Sequence, residues 1–232
     1  TWIGALIART EAVWNEGHLS FAHARLRGIL ALATVLLVTL SITLLIDHAL
    51  GLVLPVVIAL AVKAVLASTL LAGRSLDDHV TDVAVALEGR GLAGGREAVA
   101  RIVGRDPETL DEAGVSRAAI ESLAENFSDG VVAPLFWLIV GGLPGCALYK
   151  AINTADSMIG HKSERYRAFG WASARLDDLV NLPASRLSVL WIAAAARFTP
   201  GADWRAAVLS ALTDAPRHRS PNAGWPEAAM AG

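Results

Sequence analysis

The stretch from Gly28 to Ile46, GILALATVLLVTLSITLLI, contains 19 residues and no charge. As a helix it would be roughly 28 Å long at 1.5 Å per residue, close to the ~30 Å hydrocarbon core of a bilayer. No other feature restricts the fold as strongly, because a run this apolar either crosses a membrane or fills the centre of a large core. Composition favours the membrane. Charged residues make up 18% of the chain, below the roughly 25% of soluble domains, the mean hydropathy is +0.47, and the apolar residues are clustered.

After this run, Asp47-His48 reads as a short polar turn and Ala49 to Ala72 as a second span. Residues 28–46 and 49–72 are therefore expected to form a transmembrane helical hairpin. Lys63 lies inside the second span, where a lysine is either functional or held by a polar neighbour. Arg9, Arg25 and Arg27 precede the first span, whereas the Asp47-His48 turn holds no lysine or arginine. The positive-inside rule then puts both ends of the hairpin, and the polar region after it, in the cytoplasm. Trp2, Ile3, Leu6, Val13 and Trp14 suggest an interfacial amphipathic helix before the first span. There is no basic n-region of a signal peptide, and both ends read as cuts through an element, so the chain is expected to be incomplete.

Residues 73–129 read as a polar helical region. In GRDPETLDEAG, Asp106 is the expected N-cap with Pro107 at the first helical position, and Gly114 the expected stop. Ser116 is expected to cap a helix with the stripe Ile120, Leu123, Ala124 and Phe127. Residues 131–149 form an apolar segment interrupted by Gly-Gly-Leu-Pro-Gly, 150–186 a region of polar motifs, 182–198 a short further span, and 199–232 a polar tail. No segment alternates with period two over a useful length. The expected fold class is an all-α integral membrane protein, a single helical domain over 1–232.

Three polar clusters sit beside apolar segments. Glu121 and Glu125 share a helix face, with Asn126 and Asp129 at its end. Asn153 and Asp156 lie one turn apart beside Lys150. Asp177, Asp178 and Asn181 occupy neighbouring faces in SARLDDLVNLP. Between the last two clusters run Lys162, Arg165 and Arg167. One such cluster is an ordinary solvated helix face as often as not. Three together, interleaved with cations, point to Mg²⁺ on hard oxygen ligands and to phosphates on lysine and arginine. The residues alone thus suggest a membrane-embedded enzyme for a phosphorylated substrate.

Other classes find no support. The net charge of −2 gives no nucleic-acid footprint. The six histidines make no H-x-x-x-H or H-x-H pair, against zinc. The lone Cys146 cannot make an intrachain disulfide. No Walker A string or G-x-S-x-G elbow occurs.

The strings IVGRDPETLDEAGVSRAAIESLAENFSDGVVAPLFW, GGLPGCALYKAINTADSMIGHKSERYRAFGWASARLDDLVNLPASRL and HRSPNAGWPEAAMAG resemble the adenosylcobinamide-phosphate synthase family, the CobD/CbiB membrane proteins of cobalamin biosynthesis. The resemblance implies a carbon–nitrogen ligase of the inner membrane, multi-pass, with its polar motifs cytoplasmic. It would join the free propionate of adenosylcobyric acid to aminopropanol or its O-phosphate, with ATP as co-substrate and Mg²⁺ as cofactor. Its partners would be this corrinoid, the amino alcohol and the lipid bilayer, without nucleic acid, and other late cobalamin-pathway membrane enzymes could associate with it. His161 departs from the tyrosine expected there and is left out of the site.

Carried onto the matching motifs, Asp177, Asp178 and Asn181 are the first choice for Mg²⁺, with Asn153 and Asp156 supporting. Lys150, Lys162, Arg165 and Arg175, with Asn126, would bind substrate and phosphate. Glu121, Glu125 and Asp129 would carry the catalytic role, as base or amine anchor. Two other readings remain open: a Mg²⁺-dependent intramembrane prenyltransferase, suggested by the DDLVN string, and a non-enzymatic membrane subunit or transporter. A last expectation is topological. Val131 to Val140 covers only about half a bilayer, and Gly141 to Gly145 is a reversal signal. The segment is expected to be re-entrant, bringing Asn153 and Asp156 back to the face that holds Glu125 and Asp129.

Overall fold

The computed structural model describes residues 1–17, 20–103 and 106–232, without the side chains of Arg74 and Ser75; His18 lies outside the described residues. Ten α-helices, two 3-10 turns and one π turn account for the regular structure, and no strand occurs among the described residues. The all-α expectation holds. Two helical stretches, Phe21–Val53 and Glu112–Ile159, are long and apolar enough to cross a membrane. A third candidate is the pair Trp171–Val180 and Leu182–Ala196, bent by 43°. The chain divides into two compact units, residues 1–71 with 133–181 and residues 72–132 with 182–232.

In the first unit, α1 (Trp2–Trp14) packs against α2 (Phe21–Val53) and α6 (Ala133–Ile159). Ile3 and Ile7 of α1 are buried with Ala31, Leu32 and Val35 of α2, Ala151 and Ala155 of α6, and Phe169. The small residues on α2 and α6 let these helices approach closely, as membrane helix contacts require. The expected interfacial helix is thus half core: Ile3 and Ile7 face inward, while Trp2 and Val13 stay exposed.

The turn expected at Asp47-His48 does not form. Helix α2 continues to Val53 and ends where Leu54 turns extended (φ −113°, ψ 146°) before Pro55. Proline has no N–H to donate and disfavours helical geometry in the residue before it, so this dipeptide stops the helix. Asp47 keeps its place because its Oδ1 lies 2.8 Å from Lys63 Nζ on α3 (Val56–Ser68). The ion pair answers the question posed by the intramembrane lysine. At 13 residues α3 is shorter than the 49–72 span expected.

In α6 the backbone leaves helical geometry at Gly142 (φ 61°, ψ −157°). A methyl group at Gly145 would overlap the carbonyl oxygen of Trp137, eight residues earlier. Eight residues of continuous helix advance about 12 Å, so the two halves of α6 fold towards each other around Gly142.

In the second unit, α4 (Gly73–Val99) packs on α5 (Glu112–Phe127). Val83, Ala86, Val99, Val115, Ala118 and Ala119 form their core. Asp106 caps a 3-10 turn beginning at Pro107, its side chain accepting from the Glu108 N–H at 3.0 Å. The expected stop at Gly114 and cap at Ser116 are both displaced. Asp111 is the N-cap of α5, its carboxylate accepting from the Gly114 N–H at 2.7 Å. Asp is a strong N-cap, and once Asp111 takes that role Gly114 falls inside the first turn. The buried face of α5 is consequently Val115, Ala118, Ala119, Ser122 and Ala124; of the expected stripe Ala124 is buried and Ile120 is exposed. A π turn over Ser128–Val132 ends this part of the chain. Helices α8 (Leu182–Ala196), α9 (Trp204–Asp214) and α10 (Gly224–Ala231) pack around Val189, Ala211 and Ala229.

Candidate functional site

The first unit brings together two clusters that lie far apart in sequence. Asn153 and Asp156 sit on the second half of α6, and Asp177 and Asp178 on α7 (Trp171–Val180), with Asn181 as its C-cap. Asp177 is the hub. Its Oδ2 accepts from Asn181 Nδ2 at 2.9 Å, and its Oδ1 lies 3.4 Å from Asn153 Nδ2, a long contact. The charges of Asp156 and Asp178 act on the same carboxylate. Asn181 is itself held, because the Tyr149 hydroxyl donates to its Oδ1 at 2.8 Å, and both residues are fully buried. Tyr149 stands one helical turn before Asn153, so successive turns of α6 carry its side of the network. The Trp137 indole N–H donates to the Val180 carbonyl at 3.1 Å and ties the first half of α6 to the end of α7.

The oxygen ligands are the carboxylates of Asp156, Asp177 and Asp178, hard ligands of the kind Mg²⁺ takes; Asn181, expected as a ligand, instead spends Nδ2 on Asp177 and Oδ1 on Tyr149, and Asn153 turns Nδ2 to Asp177. Among the described residues no three His, Cys, Asp or Glu side chains converge closely enough to hold an ion alone. The three carboxylates fit Mg²⁺ only as an ion shared with water and substrate phosphate, its usual arrangement beside one or two carboxylates.

The proposed cations are placed unequally. Arg175 Nη1 lies 3.3 Å from Asp178 Oδ2, at the edge of the network. Arg165 instead grips Glu11 through Nε and Nη2 at 2.9 and 2.7 Å. The hydrogen bond and charge of Glu11 raise the Arg165 pKa further. Asn15 Nδ2 also reaches Glu11, at 3.0 Å, so α1 anchors the loop between α6 and α7. Lys162 is exposed in that loop, and Lys150 stands one turn before Asn153.

Glu121, Glu125, Asn126 and Asp129 belong to the second unit. Asn126 Nδ2 donates to the Ser122 carbonyl at 2.8 Å. Glu121 and Glu125 line a cleft with Glu227 of α10, and Glu121 and Glu227 share a second, larger cavity with Arg117 and His218. Sequence reasoning missed Tyr149, Glu227 and His218. Tyr149 looks like one more aromatic in an apolar run, whereas His218 and Glu227 stand in the recognised HRSPNAGWPE string and could have been taken from it. That string is tightly used. Asn222 Oδ1 accepts from Ser185 Oγ (3.1 Å) and from Arg186 Nη1 (3.0 Å), and the Arg186 guanidinium lies over the Trp225 ring.

The CobD/Cbib protein family matches residues 1–232, the whole chain. The chain belongs to the CobD/Cbib family. It is 55% identical over its full length to the cobalamin biosynthesis protein CobD of Rhizobium meliloti, covering 70% of that protein. It is likewise 55% identical to the cobalamin biosynthesis protein CobD of Rhodobacter capsulatus, again over the full chain and 70% of the relative. The CobD of Sinorhizobium fredii is 66% identical over 73% of this chain and 52% of its own length. No solved structure matches this CobD/Cbib chain.

Proposed function

We propose that this chain acts in cobalamin biosynthesis as an ATP- and Mg²⁺-dependent amide ligase. In this reading it joins the free propionate of adenosylcobyric acid to aminopropanol or its O-phosphate, giving adenosylcobinamide or its phosphate. The observation that carries it is the Asp177 network: amides from two remote motifs turn towards one carboxylate, with Asp156 and Asp178 beside it. The names of the relatives, cobalamin biosynthesis protein CobD, support the pathway.

A carboxylate is a poor electrophile, and phosphoryl transfer from ATP to the propionate oxygen gives an acyl phosphate and ADP. The amine nitrogen then attacks the carbonyl carbon, the C–O bond to phosphate breaks, and the amide and inorganic phosphate leave. Asp177 and Asp178, with Asp156, would hold Mg²⁺, which supplies charge neutralisation on the phosphates, while Asn181 and Asn153 turn their amide nitrogens to Asp177. Tyr149 and Asn181 hold the Asp177 carboxylate in one rotamer, so its orientation is set before substrate arrives. Arg175, Lys150 and Lys162 would bind phosphate beside the network, whereas Arg165 is engaged with Glu11. Glu121 or Glu125 would accept the ammonium proton that the amine must lose before attack, with Asp129 beside them. In this reading the chain is an inner-membrane enzyme with its polar motifs on the cytoplasmic side, where ATP is available, and the long apolar helices support the membrane placement. The turn at Gly142 serves as the re-entrant point that returns α6 to that side.

The test is nucleotide release by the full-length protein in lipid. Sustained ADP release, beyond a single turnover, should require adenosylcobyric acid, the amino alcohol or its phosphate, ATP and Mg²⁺ together. ADP release that ignores the corrinoid or the amine would remove this reading, as would release of diphosphate from a prenyl donor.

A further inference from the structure

Four arginines lie where the first turns of α2 meet the segment 160–171 that leads into α7, and they are held in two different ways. Arg27 Nη1 pairs with Glu16 at 2.8 Å, and Arg165 Nη2 with Glu11 at 2.7 Å. Arg25 and Arg167 pair with no carboxylate among the described residues. Each is held by an aromatic ring instead. The Arg25 guanidinium lies 3.5 Å from the centroid of the Trp171 ring, and the Arg167 guanidinium 5.6 Å from that of Phe21. The two contacts are reciprocal, because Phe21 and Arg25 stand one turn apart on α2 and face Arg167 and Trp171, also four residues apart. Gly28 permits the close approach of the two segments, since a methyl there would overlap the Phe169 carbonyl oxygen.

A ring attracts a cation through its quadrupole but cancels none of its charge. Stacking also covers only a flat face of the guanidinium. Its N–H groups lie in the plane and point to the edge, so they stay available to an anion. Phe21, Arg167 and Trp171 are exposed. Directly after Arg25 the surface of α2 turns apolar: Leu26, Leu30 and Leu37, at helical spacing, are each half or more exposed. The seam therefore joins two cations without counter-charge, two exposed rings and the start of an apolar helix face. That is the order of chemistries from lipid headgroups to acyl chains.

We propose that this seam binds an anionic phospholipid. Arg25 and Arg167 donate to the headgroup phosphate oxygens, Phe21 and Trp171 flank the glycerol region, and an acyl chain runs along Leu26, Leu30 and Leu37. A free phosphate would satisfy the arginines but leave the apolar row bare. A zwitterionic lipid brings its own ammonium to a seam that already holds two uncompensated cations, so lipids of net negative charge are preferred. A lipid held there braces the start of α7, the helix that carries Asp177. The inference does not depend on the ligase reading.

Native mass spectrometry of the full-length protein in neutral detergent, offered equimolar phosphatidylglycerol and phosphatidylcholine, tests it. Wild type should retain phosphatidylglycerol in preference by about 25-fold. Arg25→Gln and Arg167→Gln should each lower that preference about fivefold, the scale of one interfacial arginine, and the double variant should hold the two lipids equally. Arg9→Gln, which removes an exposed cation of α1, should leave the preference unchanged, and millimolar inorganic phosphate should not displace the lipid. Thermal unfolding in phosphatidylcholine nanodiscs checks that the variants fold; Arg167 is exposed, so Arg167→Gln decides the matter even where Arg25→Gln unfolds. Equal retention of both lipids by wild type, or a preference that survives in Arg167→Gln, would overturn the site. An equal loss in Arg9→Gln would replace it by general surface charge, and displacement by inorganic phosphate would make it a free-anion site.

Discussion

Gly141 and Gly142 are adjacent, yet alanine at each should have opposite consequences. Gly142 sits at φ 61°, ψ −157°, in a backbone region that is essentially glycine-only and costs other residues about 1–3 kcal/mol. A methyl at Gly142 would meet only Pro144 Cδ at 3.7 Å, an ordinary contact, so the penalty is conformational and not a clash. At Gly141 a methyl meets nothing within 4 Å and the backbone is helical, so alanine there should stabilise by about 0.5–1 kcal/mol. The two variants should therefore differ by about 1.5–4 kcal/mol. At about 2–4 °C per kcal/mol for a chain of this size, Gly142→Ala should melt several degrees below Gly141→Ala. Thermal unfolding of both purified variants in one detergent, followed by tryptophan fluorescence, reads the difference directly. Equal melting temperatures would refute the turn at Gly142 and leave α6 a continuous helix.

Two further substitutions probe other contacts. Tyr149→Phe removes the hydroxyl donated to Asn181 Oδ1, at a cost of about 0.5–1.5 kcal/mol. Because Asn181 orients Asp177, Mg²⁺ affinity measured from the metal dependence of turnover should also fall, by about 10- to 100-fold; unchanged metal dependence would detach Tyr149 from the site. Lys63→Met strands Asp47 and should destabilise the protein more than the double variant Asp47→Leu/Lys63→Met. The double-variant cycle should show coupling of about 0.5–3 kcal/mol, and additive effects would mean that the 2.8 Å pair does not matter.

What could be read from sequence follows the range over which each signal acts. The uncharged run, the Asp106-Pro107 cap and the glycine-proline break are local, and each appears where its residues predicted. The Asp47-His48 turn failed because polarity alone does not end a helix when a partner such as Lys63 neutralises it from another segment. The start of α5 was misjudged because Asp111 and Ser116 compete as caps, and the aspartate accepts from Gly114 first. The Asn153/Asp156 and Asp177/Asn181 groups were visible as separate clusters with a shared donor chemistry. Their meeting on Asp177 depends on how α6 and α7 pack, which spacing cannot express. Tyr149 was invisible for the same reason, since its role exists only through Asn181, 32 residues away.

The central claim is that the Asp177 network serves Mg²⁺-dependent amide formation from ATP. The most direct measurement is the mass of the corrinoid recovered when full-length protein in lipid is given adenosylcobyric acid, aminopropanol O-phosphate and ATP, with and without Mg²⁺. The account predicts one new species, heavier by the amine less one water, that disappears when Mg²⁺ is chelated or when Asp177 is replaced by asparagine. Undiminished product in the chelated reaction or in the Asp177→Asn variant would contradict it.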